Sequence, residues 1–429
     1  MTAYAASPMT DRGPAGTMGR AVPGDDAWRD GRLLPSSPAP GYSGHRARYG
    51  PLPTPSLAAL IAATSAVSLV GRGGAGFPVS RKLSALADAG RPPVLIVNWC
   101  EGDPTAVKDE ALAHRSPHLV LDGVLALAGA ARARRLIIAC RAGSATAGRV
   151  GAAVAQRPEA GRCEVLSVPP RLVASEASSL VSLASGGGAR PLGRLAPIWE
   201  RGVDGAPTMV LNAETSAQLA VLAMLGPAGF ATVGDPGEPG TAVLSVSGRV
   251  ARPGTYEIPT GTAIGIPLLA AGAPGSGWAL VGGLAGRWVE VERLGRTAFS
   301  GAALQAAGLS RGVGSIVVLG DGCLLVETAG ILGYLARESA GRCGPCMFGL
   351  PAIAADLAAL VAGDPAAPER LRRRLPVIDG RGGCAHPDGA VALAGSALAA
   401  LSGPLRGHLD AHLRGGPCGA RPVLSLGGS

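Results

Sequence analysis

Aromatic side chains are scarce in this sequence: 4 Phe, 5 Trp and 5 Tyr in 429 residues, or 3% of the chain. That argues against a surface that stacks nucleic-acid bases, which needs aromatic faces at intervals. Mean hydropathy is +0.29, yet no run of about 18 uncharged apolar residues occurs, so direct membrane insertion by a spanning helix is not expected. No basic flank followed by an apolar core opens the chain, so it does not read as a secretory signal, and a cytoplasmic location is expected. Eight cysteines are too few for a disulfide framework at this length. Acidic residues number 30 against 39 basic ones, a net charge of +9. The basic residues are mostly Arg and scattered, which reads as a soluble surface rather than a polyanion-binding tract. Gly (66) and Pro (36) are abundant and make up close to a quarter of the chain, just under the range where disorder becomes the default. The length suits two or three domains.

Residues 1–55 are rich in Pro, Gly, Ser and Arg without periodicity and read as a disordered lead-in. From Ser56 the pattern changes. Short apolar runs at Val94–Val97, Leu136–Ala139 and Val165–Val168 alternate with Ala-rich helical stretches, which argues for a layered α/β domain over 56–235. After the break at Gly234–Gly240, Thr241–Gly248 and Gly254–Ile258 read as strands joined by a turn at Arg252-Pro-Gly254. This places a small α+β module at 236–305. A helical bundle is expected over 306–413 and a Gly/Pro-rich tail over 414–429.

Gly71, Gly73, Gly74 and Gly76 fall within six residues, ahead of a helix expected to start near Val79. Glycines let a backbone approach a phosphate and turn its N–H groups toward it, and a helix N-terminus adds donors. Arg72 and Lys82 are candidates to neutralise phosphate charge. The motif is neither a Walker A loop nor the dinucleotide fingerprint, and by itself an ordinary tight loop explains it equally well. Asn98-Trp-Cys100-Glu101-Gly-Asp103-Pro-Thr-Ala-Val-Lys108-Asp109 follows the first buried strand, where α/β sheets place ligands, and its acidic and amide side chains are candidates to hold cofactor hydroxyls. On the residues alone, a polar loop capping a helix explains that segment too.

Two cysteines stand as C-x₂-C at Cys343 and Cys346, and Cys384 follows in Gly382-Gly-Cys384-Ala-His386. Paired cysteines at this spacing can aim two thiolates at one centre, and the spacing alone leaves zinc, a redox dithiol and an iron–sulfur cluster open. Cys140 and Cys163 lie in apolar or strand-like runs and read as buried structural thiols. A surface or capping role is expected for His114 and His118. No nucleophilic triad or pair of general-acid carboxylates stands out.

Taken together, the glycine loop, the segment after the strand and the cysteine motif resemble the family of the flavin- and NADH-binding subunit of respiratory complex I, which has relatives in NAD-linked formate dehydrogenases and hydrogenases. The similarity runs from about Val70 to Leu401. It implies a Rossmann-like flavin domain, a β-grasp-like module called SLBB around Ser247–Glu257, and a helical Fe–S domain. It also implies FMN held by Gly71, Gly73, Gly74, Gly76, Lys82, Asn98 and Glu101, with Phe77 lining a nicotinamide channel. Asn212 and Thr215 match a further flavin segment of the family. Cys343, Cys346 and Cys384 match three ligands of its [4Fe–4S] cluster, and Ala340 stands where the remaining cysteine belongs. Ser339, His386, Cys323 and Cys418 are the candidates to replace it.

The family's Gly-Glu-Glu segment corresponds to Ala174-Ser175-Glu176, Cys100 replaces an Asp, and Leu211 replaces an Asn. Glu176 is the carboxylate that remains, so these departures put NAD(H) binding in question. The function this implies is an oxidoreductase subunit passing electrons between FMN and a [4Fe–4S] cluster. Its expected partner is a ferredoxin-like electron-transfer protein, and its expected setting a multi-subunit complex. The alternative is a non-catalytic Fe–S relay or scaffold that has lost NADH binding.

Overall fold

The computed structural model describes residues 5–8, 31–37, 41–161, 163–193 and 197–426. Its first elements lie in the stretch read from sequence as a disordered lead-in, and that reading needs correction. β1 (Ala5–Pro8) pairs antiparallel with a strand near residue 255, and α1 (Gly41–Tyr49) packs on the first domain. Between them Leu33 and Leu34 are fully buried, and their N–H groups both donate to the Glu257 carboxylate at 2.9 Å. Burying two leucines contributes about 1.5–3 kcal/mol each toward ordering this short Gly/Pro-flanked segment, alongside the bonds to Glu257. His45 of α1 is buried against Asp122 at 2.7 Å, and Asp122 also accepts from Arg157 at 2.6 Å. The lead-in positions 1–4, 9–30 and 38–40 lie outside the described residues.

The first domain contains α2 (Leu57–Ala66), α3 (Val79–Asp88), β2 (Val94–Trp99), α4 (Lys108–Arg115), α5 (Pro117–Ala130), β3 (Arg135–Arg141), α6 (Ala145–Ala155), β4 (Cys163–Val168), α7 (Ala177–Ala184), β5 (Thr208–Asn212) and α8 (Ala213–Phe230). Its four strands are all parallel, in the order β4-β3-β2-β5. Val94–Val97 are completely buried, as expected for a strand covered by helices on both faces. The register sets Asn98 of β2 beside Asn212 of β5 at the carboxyl edge of the sheet. His118 is buried beside His45 rather than on the surface, and burial lowers it to about 4.

The middle module opens with the short pair β6 (Gly234–Asp235) and β7 (Glu238–Pro239). Its main sheet contains β8 (Thr241–Gly248), β9 (Gly254–Pro259), β10 (Trp278–Val281), β11 (Arg287–Glu290) and β12 (Ser315–Gly320), in the order β1-β9-β8-β12-β10-β11. β12 runs parallel to β8 in the middle, and the other pairs are antiparallel. Gly248 is required at the end of β8: its φ is +86°, and a Cβ there would sit 2.2 Å from the Val318 carbonyl oxygen. Because β12 is the apolar run between β8 and β10, the sheet extends to Gly320, past the boundary expected at residue 305. The three short helices of this module are α9 (Gly265–Ala270), α10 (Val291–Gly295) and α11 (Gly301–Ala306).

The chain ends in a bundle of α12 (Leu324–Arg337), α13 (Leu350–Val361), α14 (Ala367–Ile378), α15 (His386–Ser402) and α16 (Arg406–Gly415). Leu332, Leu335, Ile353, Leu357, Leu360 and Leu393 form its core. Part of the tail is docked: Leu424 donates to the Glu327 carboxylate on α12 at 3.0 Å. Among the described residues, no single helix is long and apolar enough to cross a membrane.

Candidate functional site

The glycine loop closes on itself through Gly71 N–H donating to the Phe77 carbonyl at 2.9 Å. Gly74 sits at φ +111° and pairs with Gly312 of the middle module, and Gly76 is at φ +60°. Gly73 lies over β5, where a Cβ would touch Cβ of Asn212 at 3.4 Å. No side chain caps the N-terminus of α3, which follows the loop. The loop therefore covers the carboxyl edge of the parallel sheet and presents backbone rather than side chains.

The chain has only two lysines, and both reach β5. The Lys82 ammonium is 3.4 Å from the Val210 carbonyl and 5.9 Å from the Phe77 ring centre. Burial lowers its pKa, and among the described residues no carboxylate pairs with it. A desolvated cation beside an open glycine loop fits an anionic group such as the phosphate of FMN. Arg72 does not share that role. Its guanidinium is buried against Glu238 at 2.8 Å, and its backbone N–H donates to Thr215 Oγ1 at 2.9 Å.

Lys108 is buried and bonds Asp109 and Asn212 Oδ1, each at 2.8 Å, with Glu214 at 3.4 Å. Asn212 completes the ring by donating to Asp109 at 3.0 Å. Burial alone would lower the Lys108 pKa, but Asp109, Glu214 and Glu101 together raise it. Glu101 caps α4, accepting from the N–H groups of Asp109 and Glu110 at 3.1–3.2 Å. Burial, reinforced by the Asp109 charge, pushes it up to about 8. Asn212, Glu101 and Thr215 are thus held in an internal network. Lys108 and Asp109, which anchor that network, close the segment read from sequence as a candidate ligand loop, but they bond each other and Asn212 and brace the sheet edge.

Asn98 opens a route away from the sheet. Its amide donates to the Ser175 carbonyl at 2.8 Å, and Ser175 Oγ donates to the Leu172 carbonyl at 2.9 Å. Leu172 N–H in turn donates to the Glu338 carboxylate at 2.8 Å, at the end of α12. Glu176 caps α7 through Ser178 and Ser179 N–H at 2.9 and 3.0 Å.

One turn beyond Glu338 lies a cavity of about 290 Å³, lined by Ala340, Arg342, Cys343, Cys346, Cys384 and the loop Pro191–Gly193 of the first domain. Arg342 donates to the Pro191 carbonyl at 3.1 Å and holds that loop over the cavity. Burial alone would raise the Cys343 thiol, but N–H groups of Gly383 and Cys346 outweigh it and bring it below the ordinary cysteine value. Burial, with Cys343 and Cys384 nearby, pushes Cys346 up to about 11. Burial, Glu176 and Cys343 also raise Cys384. Three sulfurs facing one cavity, with N–H groups aimed at sulfur, fit an iron–sulfur cluster.

Ala340 lines the cavity, whereas Ser339 and His386 do not. Nε2 of His386 is bonded to the Leu335 carbonyl at 2.8 Å. Cys323 lies at the opposite end of α12, whose 14 residues span about 20 Å. Cys418 lies beside Cys323, so both belong elsewhere.

A family model described as the Nuo51 FMN-binding domain matches residues 64–221. A second, the NADH-ubiquinone oxidoreductase-F iron–sulfur binding region, matches residues 327–404. The second NADH-quinone oxidoreductase F-subunit of Rhizobium meliloti (strain 1021) is 29% identical over 406 residues, 89% of this chain and 95% of that protein. The NADH-quinone oxidoreductase F-subunit of Mycobacterium tuberculosis (strain ATCC 25618 / H37Rv) is 28% identical over 387 residues, 83% of this chain and 85% of that protein. Among solved structures, NAD⁺-reducing [NiFe]-hydrogenase in its H₂-reduced and air-oxidised states gives TM-scores of 0.70 and 0.72 at 28% identity. Each alignment covers 86% of this chain, which spans 64% and 65% of the hydrogenase chain's length. The fold and both sites define a mixed α/β protein with a flavin-type domain and a cysteine-bearing helical bundle. Over both its flavin-type domain and its cysteine-bearing bundle, the chain is similar to the F-subunits of complex I.

Proposed function

We propose that this chain is an electron-transfer oxidoreductase subunit that passes electrons between FMN and a [4Fe–4S] cluster within a larger redox assembly. The observation that carries this reading is the convergence of Cys343, Cys346 and Cys384 on one cavity closed by the Pro191–Gly193 loop of the domain that bears the glycine loop and Lys82. FMN, when bound, supplies two-electron acceptance with one-electron release, chemistry that belongs to the cofactor rather than the protein. The protein's part is positioning. Gly71, Gly73, Gly74 and Gly76 offer backbone, Lys82 offers charge, Asn98 fixes the sheet edge, and Cys343, Cys346 and Cys384 supply three thiolates. Glu101, Asn212 and Thr215 hold the sheet edge rigid from behind. Glu176 fixes α7, whose Ser178 hydroxyl accepts from Leu192 in the loop over the cavity at 3.0 Å.

The sheet order, with its first and last strands parallel at the centre and a hairpin on each side, supports reading the middle module as β-grasp-like and SLBB-related. It clamps the site: Asp103 accepts from Leu284 N–H at 2.7 Å, and Ser315 donates to Thr105 at 2.8–2.9 Å. With one cluster motif in the chain, a ferredoxin-like protein suits the role of partner, and a cytoplasmic location fits it.

A second reading, a relay or scaffold without NADH chemistry, is favoured by one observation. Ser175 stands where family members carry a carboxylate, and its hydroxyl is engaged with Leu172. Anaerobic purification separates the two. FMN released on denaturation together with iron and labile sulfide supports the first reading; iron without FMN supports the second; neither cofactor refutes both. Rapid flavin bleaching by stoichiometric NADH would show that the Ser175 substitution leaves nicotinamide chemistry intact.

A further inference from the structure

Cys323 sits between β12 and α12 as the N-cap residue of α12, 6% exposed. Its sulfur faces two imidazoles of α16: Nε2 of His408 at 3.1 Å and Nε2 of His412 at 3.4 Å. The histidines are four residues apart on a helix, so they share one face. The three donor atoms all lie within 4.8 Å of one another. Cys418, just beyond α16, is exposed and stands beside Cys323, outside that convergent trio.

Nδ1 of His412 is 3.0 Å from the Val361 carbonyl. A carbonyl only accepts, so Nδ1 carries the proton, and a neutral His412 turns the lone pair of Nε2 toward sulfur. This is the outer-shell arrangement that fixes a ligating histidine. Two ring nitrogens converge on one thiol, which has a single proton to share. A cation satisfies all three donors at once. In a tetrahedral zinc site with Zn–S of about 2.3 Å and Zn–N of about 2.0–2.1 Å, sulfur and nitrogen stand about 3.5 Å apart, near the separations here.

We propose that Cys323, His408 and His412, with Cys418 as fourth ligand, form a structural site for a divalent cation of the zinc type, separate from the iron–sulfur cavity. The site ties the last helix and the tail to the junction of the middle sheet and the bundle. Three donors already converge, and the exposed Cys418 thiol swings in to complete two sulfurs and two nitrogens, so the metal acts as a staple. On binding, each thiol loses its proton to solvent and no electrons move.

The test uses the full-length holoprotein, purified anaerobically under reducing conditions, incubated with Zn²⁺ and desalted. About one zinc per chain should remain, and its X-ray absorption should show two nitrogen and two sulfur neighbours. His408→Ala, on a partly exposed face of α16, and Cys418→Ser should each lower zinc retention at least tenfold while iron content stays constant. Cys384→Ser should do the reverse, stripping iron and keeping zinc. Wild-type protein that retains no zinc overturns the proposal. So does an all-sulfur zinc shell, zinc lost with Cys384→Ser, zinc unchanged in both His408→Ala and Cys418→Ser, or a Cys323–Cys418 disulfide in the reduced preparation. The absorption measurement needs no variant, so a misfolded mutant does not decide the matter.

Discussion

At the edge of the parallel sheet, Lys108, Asp109, Asn212 and Glu214 saturate one another, and Glu101 is held by two N–H groups. Around the cysteine cavity the walls are sulfur, glycine, alanine and a leucine loop, with a single guanidinium closing one side. The first region is rigid through its own polar bonds and leaves only Lys82 and the loop backbone for a ligand. The second is walled by thiols and small side chains, with the Arg342 guanidinium as its one closing bond. The difference teaches where damage should register: as lost stability on the flavin side, and as lost metal on the cluster side.

The largest expected effect is on the cluster side. Cys346→Ser removes the most buried of the three sulfurs, 3% exposed. Nearly all iron and labile sulfide should be lost, with FMN per chain unchanged. Iron retained at the wild-type level would erase the contrast between the regions.

Lys108→Met probes the opposite side. It leaves Asp109 and Glu214 buried without their cation, which costs about 3–5 kcal/mol when one partner of a buried pair is removed. The denaturant midpoint should drop sharply in protein that still carries iron. A midpoint within error of wild type would mean that the network does not hold the sheet edge.

Gly73→Val places a branched side chain where even a Cβ touches Asn212. FMN released on denaturation should fall several-fold at unchanged iron content. Full flavin occupancy would remove the loop from the site.

Counted per pH unit, the smallest effect is a titration. Glu101 is raised from an ordinary value of 4.5 to about 8, so between those values the folded chain binds the extra proton. Stability is then complete below about pH 4.5 and declines as pH rises toward 8, by at most about 1.4 kcal/mol per unit. Glu101→Gln keeps an acceptor for the helix cap and cannot titrate. Its apparent Tm should therefore lose less than that of wild type between pH 5 and 8; parallel curves would show that burial does not act on this carboxyl.

The strands β2 and β3 were legible because parallel strands covered on both faces need uninterrupted apolar runs, whereas β4 lies at the sheet edge, half exposed, and was legible from its Val and Leu residues alone. The β8–β9 hairpin was legible from Arg252-Pro-Gly254. β5 was not, since Thr208-Met-Val-Leu-Asn212 is short and its burial depends on β2. Leu33 and Leu34 were hidden for a similar reason, as their partner Glu257 lies 223 and 224 residues away. The cysteine motif of the cavity was visible because two of its members are close in sequence. Cys323 and His408 are 85 residues apart, and only the His-x₃-His spacing on α16 signalled them.

The pairing of β1 with β9 sets an order of events during synthesis. Ala5 leaves the ribosome about 250 residues before Glu257, its partner in the ladder, a delay of about 13–50 s at ordinary elongation rates. Throughout that interval the strand at the start of the chain has no ladder to join, and the N–H groups of Leu33 and Leu34 lack the Glu257 carboxylate that accepts from them, although the first-domain core that buries their side chains is made earlier. The nascent chain thus carries an unpaired edge strand until the middle module emerges, so the first domain can close its core before the sheet that β1 completes exists.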